Sequence, residues 1–304
     1  MEKEAKSRIL VVGATGNLGK LLVRSSVSAG HSTFVLARDS AFYDRFKAKL
    51  LHSFAADGVT VLKGSLEDHG SMIEAIKMVD VVISAVSLKQ VLDQKLLILA
   101  IKEAGCIKRF IPAEFGVDAD KVQVIGMDYE FYEKKIEIRR FIENLDIPHT
   151  YICCNLFTRI LLPNLVQQNP FKIFGDGNTK GVFVEDRDVA NFTICTVDDS
   201  RSLNKTLHLR PNGNFCTMND IVNMWEIRIG KKLEKEYVSE DQLLKNIQEI
   251  PYPKNMELIF IYSAFIKGDH TYFPIDSSSG LEGTEAYPSV KLTTVHEFIN
   301  TLPL

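Results

Sequence analysis

The 304-residue sequence lacks several features that would place it in other classes of protein. It has no apolar stretch close to the roughly 18 residues of a membrane-spanning helix, and residues 1–8 do not resemble the core of a signal peptide. It has five cysteines, an odd number, and none of them form a C-x-x-C pair. This usage is typical of reduced thiols in a cytoplasmic protein. No spacing of His, Cys and carboxylates resembles a metal site, and no serine lies in a nucleophile elbow. We therefore expect a cytoplasmic protein with no membrane span, no metal and no hydrolase site.

The sequence also has little excess of one charge. It contains 36 Lys and Arg residues against 39 Asp and Glu, which leaves a net charge of −3. Binding to nucleic acid or to an anionic membrane calls for basic clusters, so we expect neither partner. A hydrophobic share of 45% with 25% charged residues is ordinary for a globular domain and excludes disordered and fibrous classes.

A short apolar run near the start ends in three glycines spaced three apart, Gly13, Gly16 and Gly19. The first glycine would let the chain turn sharply off a strand, the second would let backbone N–H groups approach a pyrophosphate, and the third would let a helix lie against the strand. The phosphates would lie at the positive end of that helix. The alternative is an ordinary strand-to-helix turn without a ligand. We expect a dinucleotide to contact Gly13, Thr15, Gly16, Asn17, Leu18 and Gly19.

Arg38 directly follows the second predicted strand, residues 33–37. At this place an acidic residue accepts the ribose 2′-hydroxyl of NAD, whereas an arginine pairs with the 2′-phosphate of NADP. Lys47 offers a second cation, while the carboxylate of Asp39 would repel the phosphate. The residue pattern therefore favours NADPH/NADP+ as cofactor, against the alternative that Arg38 is only a solvated loop charge.

Strand-like and helix-like segments alternate through the first half of the chain. The strand candidates are nearly continuous apolar runs, which are typical of parallel strands covered on both faces. The further strand candidates are residues 59–62, 79–84, 109–112 and 150–154, and two of the helix candidates are residues 92–104 and 128–145. This order predicts an α/β fold with a Rossmann-type, doubly wound parallel sheet of six strands.

The alternation stops near residue 155, which predicts two parts. Residues 1–155 would form the NADP-binding Rossmann domain, and residues 156–304 a smaller C-terminal α/β part for the substrate, with residues of about 180–200 packing back on the core. Within this second part we expect helices at 218–229 and 241–250. A strongly apolar helix at 256–266 would be either core or the wall of a pocket.

A short-chain dehydrogenase normally carries a Tyr-x-x-x-Lys pair, and this sequence lacks it. Phe131 stands four residues before Lys135, so the lysine would have to act without the phenol. Lysine can serve as general acid or base when burial and a nearby cation favour its neutral form. The alternative is a solvated helix face, because residues 133–140 are rich in charge.

Several motifs along nearly the whole chain resemble the plant isoflavone reductase-like family. They are the glycine turn at 13–19, residues 79–84, 93–94, 100–105, 108–116, Lys135 before 138–140, 174–178, 203–206, 225–226, 233–235, 265–269 and 285–288. Members are NADPH-dependent enzymes of the atypical short-chain class, including isoflavone, pinoresinol–lariciresinol and phenylcoumaran benzylic ether reductases.

The resemblance implies hydride transfer from NADPH to an electrophilic carbon of a phenylpropanoid-derived substrate, with Lys135 moving the proton. The substrate would be a lignan, a neolignan benzylic ether or an isoflavonoid. A flat aromatic molecule of this kind would suit a pocket formed by Met127, Phe157, Phe265 and His270. Further cofactor contacts are expected from Ser84, Ala85 and Asn155.

Two departures from the family pattern affect the predicted substrate. Ala113 stands where relatives usually have serine, and residues 168–172 replace a longer loop. Two other functions remain open, a non-catalytic NADP sensor of the NmrA-like kind and a reductase of alkaloid, terpenoid or allylphenol metabolism. The sequence leaves the oligomeric state open, with a homodimer as the commonest arrangement among oligomers.

Overall fold

The computed structural model describes residues 6–127 and 130–303. Its strands, in chain order, are β1 (Ile9–Val12), β2 (Thr33–Ala37), β3 (Thr60–Lys63), β4 (Val81–Ser84), β5 (Arg109–Ile111), β6 (Thr150–Cys153), β7 (Leu156–Phe157), β8 (Phe171–Phe174), β9 (Gly181–Val184), β10 (Lys205–His208), β11 (Phe215–Cys216), β12 (Lys235–Val238) and β13 (Gly280–Glu282).

The α-helices are α1 (Asn17–Ser28), α2 (Asp39–Tyr43), α3 (Arg45–Ala56), α4 (His69–Lys77), α5 (Gln94–Ala104), α6 (Phe131–Asn144), α7 (Thr158–Val166), α8 (Asp186–Cys195), α9 (Met218–Ile229), α10 (Glu240–Glu249), α11 (Met256–Tyr262), α12 (Gly283–Ala286) and α13 (Val295–Ile299). In the described ranges, no helix has both the length and the apolar character needed to cross a membrane.

Contacts between residues divide the chain into two compact units that interleave along the sequence. Of the described residues, the first unit contains those up to 114, 134–152 and 189–207, and the second contains those within 115–133, 153–188 and those from 208 onward. The functional division with its boundary at residue 155, cofactor before it and substrate after it, stays a prediction.

A five-stranded parallel sheet forms the centre of the first unit, in the order β3-β2-β1-β4-β5. All residues of β1 and β4 are buried, as expected for apolar strands covered on both faces. The register places Val12 beside Leu36 and Ser84, so β1, β2 and β4 end at one edge of the sheet. This confirms the α/β Rossmann-type fold, in which ligands bind beyond the carboxyl ends of the strands.

The sixth predicted strand forms, but it is not a full member of this sheet. Among the described residues, a single bridge between Phe110 and His149 joins its segment to β5, and β6 belongs to a different three-stranded sheet. An apolar run indicates that a strand is buried but does not specify its partner, which explains the difference.

The second unit contains a small sheet in the order β11-β9-β7 and a parallel pair of β8 and β12. The predicted apolar helix at 256–266 forms as α11 followed by a π-helical turn, Ser263–Lys267. Within this turn, Ser263, Ala264 and Phe265 are buried.

Candidate active site

The glycine turn closes tightly between β1 and α1. Gly13 has φ +83°, and a Cβ atom there would lie 2.4 Å from the carbonyl oxygen of Ala85. A Cβ atom at Gly19 would lie 2.1 Å from the carbonyl oxygen of Gly13, so the start of α1 packs directly on the turn. Larger residues would separate these backbones, which is the role expected for the glycines.

The N-terminus of α1 is suited to an anion. Gly16 caps the helix without a side chain, and within the described residues the first turn of α1 contains no acidic residue. The first N–H groups of a helix lack partners inside the helix and carry partial positive charge. A pyrophosphate fits this position, because backbone donors face it and no carboxylate competes.

Arg38 lies at the cleft that the turn borders. The cleft is also lined by Gly13, Thr15, Ser40 and Lys47. In the chain as described, no carboxylate forms an ion pair with the Arg38 guanidinium.

Its acidic neighbour is engaged elsewhere. The carboxylate of Asp39 lies 3.7 Å from the Lys63 ammonium, and Lys47 Nζ lies 4.0 Å from an oxygen of Asp44. Because Lys63 offsets the Asp39 charge, the repulsion expected at this position is reduced. The residues present therefore fit a 2′-phosphate.

Ser84 and Ala85 lie where β4 ends. Ser84 is fully buried, and among the described residues its hydroxyl has no hydrogen-bond partner. The Ala85 N–H donates to the Val12 carbonyl at 2.8 Å, which fixes the loop after β4 beside the glycine turn. A buried polar atom without a partner is unusual in a folded protein and fits a position that a ligand completes.

Lys135 is buried in the first turns of α6, with only 4% of its surface exposed. Its Nζ donates to the main-chain carbonyl of Glu114, in the segment that follows β5. The alternative of a solvated helix face therefore does not apply to this lysine.

Two residues that sequence reasoning missed surround this contact. The carboxylate of Glu114 pairs with Arg139, whose Nη2 and Nε lie 2.5 Å and 3.1 Å from Oε2, and both side chains are buried. The sequence did contain a signal for the burial of Arg139 beside Lys135. Positions 135 and 139 fall on the same helical stripe as the buried residues Tyr132, Ile138 and Ile142.

The segment between β5 and Glu114 is held from a second side by Gln94 of α5. The buried Gln94 side chain accepts a hydrogen bond from the Ala113 N–H at 2.8 Å and donates to the Val91 carbonyl at 3.1 Å. The backbone at Ala113 is thus fixed without the hydroxyl that family members usually have there.

In the second unit, three predicted substrate residues are arranged around β9. Phe157 pairs with Val184, the Phe265 ring lies 3.0 Å from the position of a Cβ on Gly181, and His270 Nδ1 accepts the Val182 N–H at 3.0 Å. Phe265 and His270 are buried, whereas Phe157 is partly exposed. Their role in substrate binding stays a prediction.

His270 is held as a neutral ring. Burial lowers its pKa to about 3, and the nearby Arg210 adds to the effect. Because Nδ1 accepts a hydrogen bond, the proton of the neutral ring lies on Nε2.

Met127 and Asn155 also lie in the second unit. Met127 is partly exposed in a turn after Val124. Asn155 is buried in a left-handed conformation with φ +58°, and its side-chain N–H donates to the Leu209 carbonyl at 3.1 Å. The cofactor and substrate roles given to these residues stay predictions.

One further buried cluster was not anticipated. Ligand atoms of Asp118, Cys153 and His208 lie within 4.8 Å of one another, and the His208 ring is 3.7 Å from the Asp118 carboxylate. Arg210 interacts electrostatically with Asp118 and Cys153. Since this guanidinium already supplies positive charge there, we interpret the cluster as a structural link between three chain segments.

Comparison with known proteins identifies the relatives of this fold and site. The NmrA-like family model matches residues 5–299. A probable pinoresinol-lariciresinol reductase 3 from Arabidopsis thaliana is 59% identical over 308 residues, covering 99% of each chain. A crystal structure of isoflavone reductase superimposes with a TM-score of 0.92 at 41% identity, covering 97% of this chain and 99% of that one.

A structure of AtPrR2 with NADP+ and (+)pinoresinol gives a TM-score of 0.91 at 37% identity, covering 97% of this chain and 98% of that one. These relatives confirm the resemblance to isoflavone reductases. The chain belongs to the NmrA-like family.

Proposed function

We propose that this protein is an NADPH-dependent reductase that acts on a phenylpropanoid-derived aromatic substrate, a lignan, neolignan benzylic ether or isoflavonoid. The observation that carries the proposal is the burial of the Lys135 amine in the same unit as the glycine turn and Arg38. Similarity to reductases, one of them solved with NADP+ and pinoresinol, supports it.

The first unit offers the groups that would hold the cofactor. The N–H groups at the start of α1 would bind the pyrophosphate, and Arg38 with Lys47 would bind the 2′-phosphate. Bound NADPH supplies a hydride at its nicotinamide ring.

Lys135 would supply the proton that accompanies the hydride. Its amine is excluded from water and fixed by the Glu114 carbonyl, so it can donate to a substrate oxygen from one defined position. Hydride and proton together complete a two-electron reduction.

The aromatic side chains around β9 would bind the ring of the substrate. Phe157 and Phe265 offer apolar surface, and the Nε2–H of neutral His270 offers one donor. Such a surface favours a flat aromatic molecule with few polar groups.

Turnover and cofactor binding test the proposal together. NADPH oxidation is followed with a furofuran lignan, a phenylcoumaran, an isoflavone and an ester of a phenylpropenol. Lys135→Met should lower kcat about 100-fold or more, as expected for loss of a general acid, while calorimetry shows unchanged NADPH binding. Lys134→Met, one residue earlier on α6, is the matched control and should keep wild-type turnover.

Binding of NADPH without turnover of any substrate would instead favour the sensor function. Turnover of the phenylpropenol ester alone would favour the allylphenol branch. Wild-type kcat in Lys135→Met would remove the proposed proton-transfer role.

The homodimer and the cytoplasmic location belong to the same proposal. Light scattering of the purified protein tests the first, and imaging of a fluorescent fusion tests the second.

A further inference from the structure

We infer that Glu114 and Arg139 form a positioning pair for Lys135, an inference that rests on the proposed proton-transfer role of that lysine. Both members act through Lys135 and need no contact with substrate. The observation that carries the inference is that Glu114, in the segment after β5, contacts both Lys135 and Arg139 of α6.

The contact between Glu114 and α6 has two points. Lys135 and Arg139 are four residues apart and therefore lie on the same face of the helix. Lys135 Nζ donates to the Glu114 main-chain carbonyl, while Arg139 donates to the Glu114 carboxylate at 2.5 Å and 3.1 Å. Because the two contacts are one helical turn apart, they fix both the rotation and the height of α6 against the segment after β5.

Arg139 is itself fixed from the other side by Tyr151 of β6. The guanidinium carbon lies 4.7 Å from the centre of the Tyr151 ring, and the Tyr151 hydroxyl lies 3.3 Å from both the Arg139 carbonyl and the Glu143 carboxylate. The guanidinium of Arg139 is therefore held between the Glu114 carboxylate and the Tyr151 ring.

Stability alone does not require a charged pair at this position. Only 1% of the Arg139 side chain and 2% of the Glu114 side chain are exposed. A buried ion pair is often no more stabilising than a well-packed apolar pair of similar volume. The position of the pair, on the residue that holds the Lys135 amine, points to control of that amine.

The pair also sets the charge near Lys135. While Glu114 is ionised, it balances the positive charge of Arg139. Removing the carboxylate would make the surroundings of the amine more positive by one charge, which disfavours a protonated lysine. The titratable and charged groups that interact with the pair include Glu143 of α6, Tyr151 of β6 and His149, whose ring stacks on that of Tyr151.

Steady-state kinetics of four variants across a pH series test the inference, with NADPH and the best substrate of the wild type. Glu114→Gln should lower kcat about 10- to 100-fold with KM for NADPH within about twofold, because the amine is displaced while the cofactor site is intact. The midpoint of the pH profile of kcat should move down by about one pH unit.

The double variant Glu114→Gln/Arg139→Gln removes both charges. Its pH midpoint should return to the wild-type value while kcat stays low, since the charge is balanced again but the two-point contact is lost. Arg139→Lys keeps the charge and loses the fork, so its midpoint should match the wild type with a lower kcat. Glu133→Gln, at an exposed position on the same helix, is the matched control and should leave kcat and midpoint unchanged.

The outcomes separate the inference from the proposed function. Absence of turnover in the wild type would overturn the proposed function and the role of the pair with it. An active wild type together with a Glu114→Gln variant of unchanged kcat and midpoint would overturn the positioning role alone. The same holds if Glu114→Gln only lowers the melting temperature. Should Glu114→Gln fail to fold, Arg139→Lys and the double variant decide, and wild-type kcat in both would overturn the inference.

Discussion

Replacing Arg38 with alanine should distinguish the two nicotinamide dinucleotides. Arg38 is exposed at the cleft, and in the part of the chain that the structure describes its guanidinium forms no ion pair that would have to be broken before it binds phosphate. A hydrogen bond to a charged group contributes about 1.5–3 kcal/mol. Exposure to solvent and salt favours the lower end of that range, so we expect NADPH affinity to fall roughly 10- to 30-fold.

Lys47 cannot fully replace Arg38. Its ammonium is shared with Asp44 at 4.0 Å, and 44% of its side chain is exposed. NADH has no 2′-phosphate, so its affinity should change by less than about twofold in Arg38→Ala.

Fluorescence titration of both dinucleotides at one ionic strength measures the effect. Arg45→Ala is the matched control, because Arg45 is also exposed but does not line the cleft. An equal loss of NADPH and NADH affinity in Arg38→Ala, or no loss of either, would refute the argument for phosphate recognition.

Two predictions concern stability, measured by urea unfolding. Gly19→Ala should lower the free energy of unfolding by about 1–3 kcal/mol, because the new methyl group would overlap the Gly13 carbonyl. Gly70→Ala in α4 is the control and should be nearly neutral, because the nearest atom to the new methyl group lies at 3.6 Å. Equal effects of the two substitutions would contradict the close packing at Gly19. His270 has a pKa of about 3 when folded and about 6.5 when unfolded, so only the unfolded chain takes up a proton as the pH falls between these values. The stability advantage of wild type over His270→Gln should therefore shrink by about 2 kcal/mol from pH 7 to pH 5, and a pH-independent difference would contradict the buried neutral ring.

Much of the fold could be predicted because local signals and long-range packing agree. Helix α9 has the predicted limits, 218–229, since Thr217 and Asp220 form a capping box before an apolar stripe and Gly230 ends it. The spacing of the glycines also predicted the turn between β1 and α1, and the structure shows that only glycine fits at Gly13 and Gly19.

The features that the sequence does not predict depend on contacts between residues distant in sequence. Nothing in the apolar run at 150–154 distinguishes pairing with β5 from pairing in another sheet. The charged segment 133–140 resembles a solvated face in composition, although Lys135 and Arg139 fall on its apolar stripe and are buried while Glu137 and Arg140 face solvent. The ion pair with Glu114 joins residues 25 positions apart, which no local periodicity can indicate.

The interleaved order of the two units limits how this protein can be cut or recombined. A single crossover near residue 155 would give one half that lacks residues 189–207, which complete the unit of the glycine turn. In that unit the Arg109 guanidinium donates to the Thr196 and Asp199 carbonyls at 2.7 Å, so a fragment ending at 155 would lose both of these acceptors. Chimeras between relatives should therefore exchange residues 134–152 and 189–207 together with the first 114 residues.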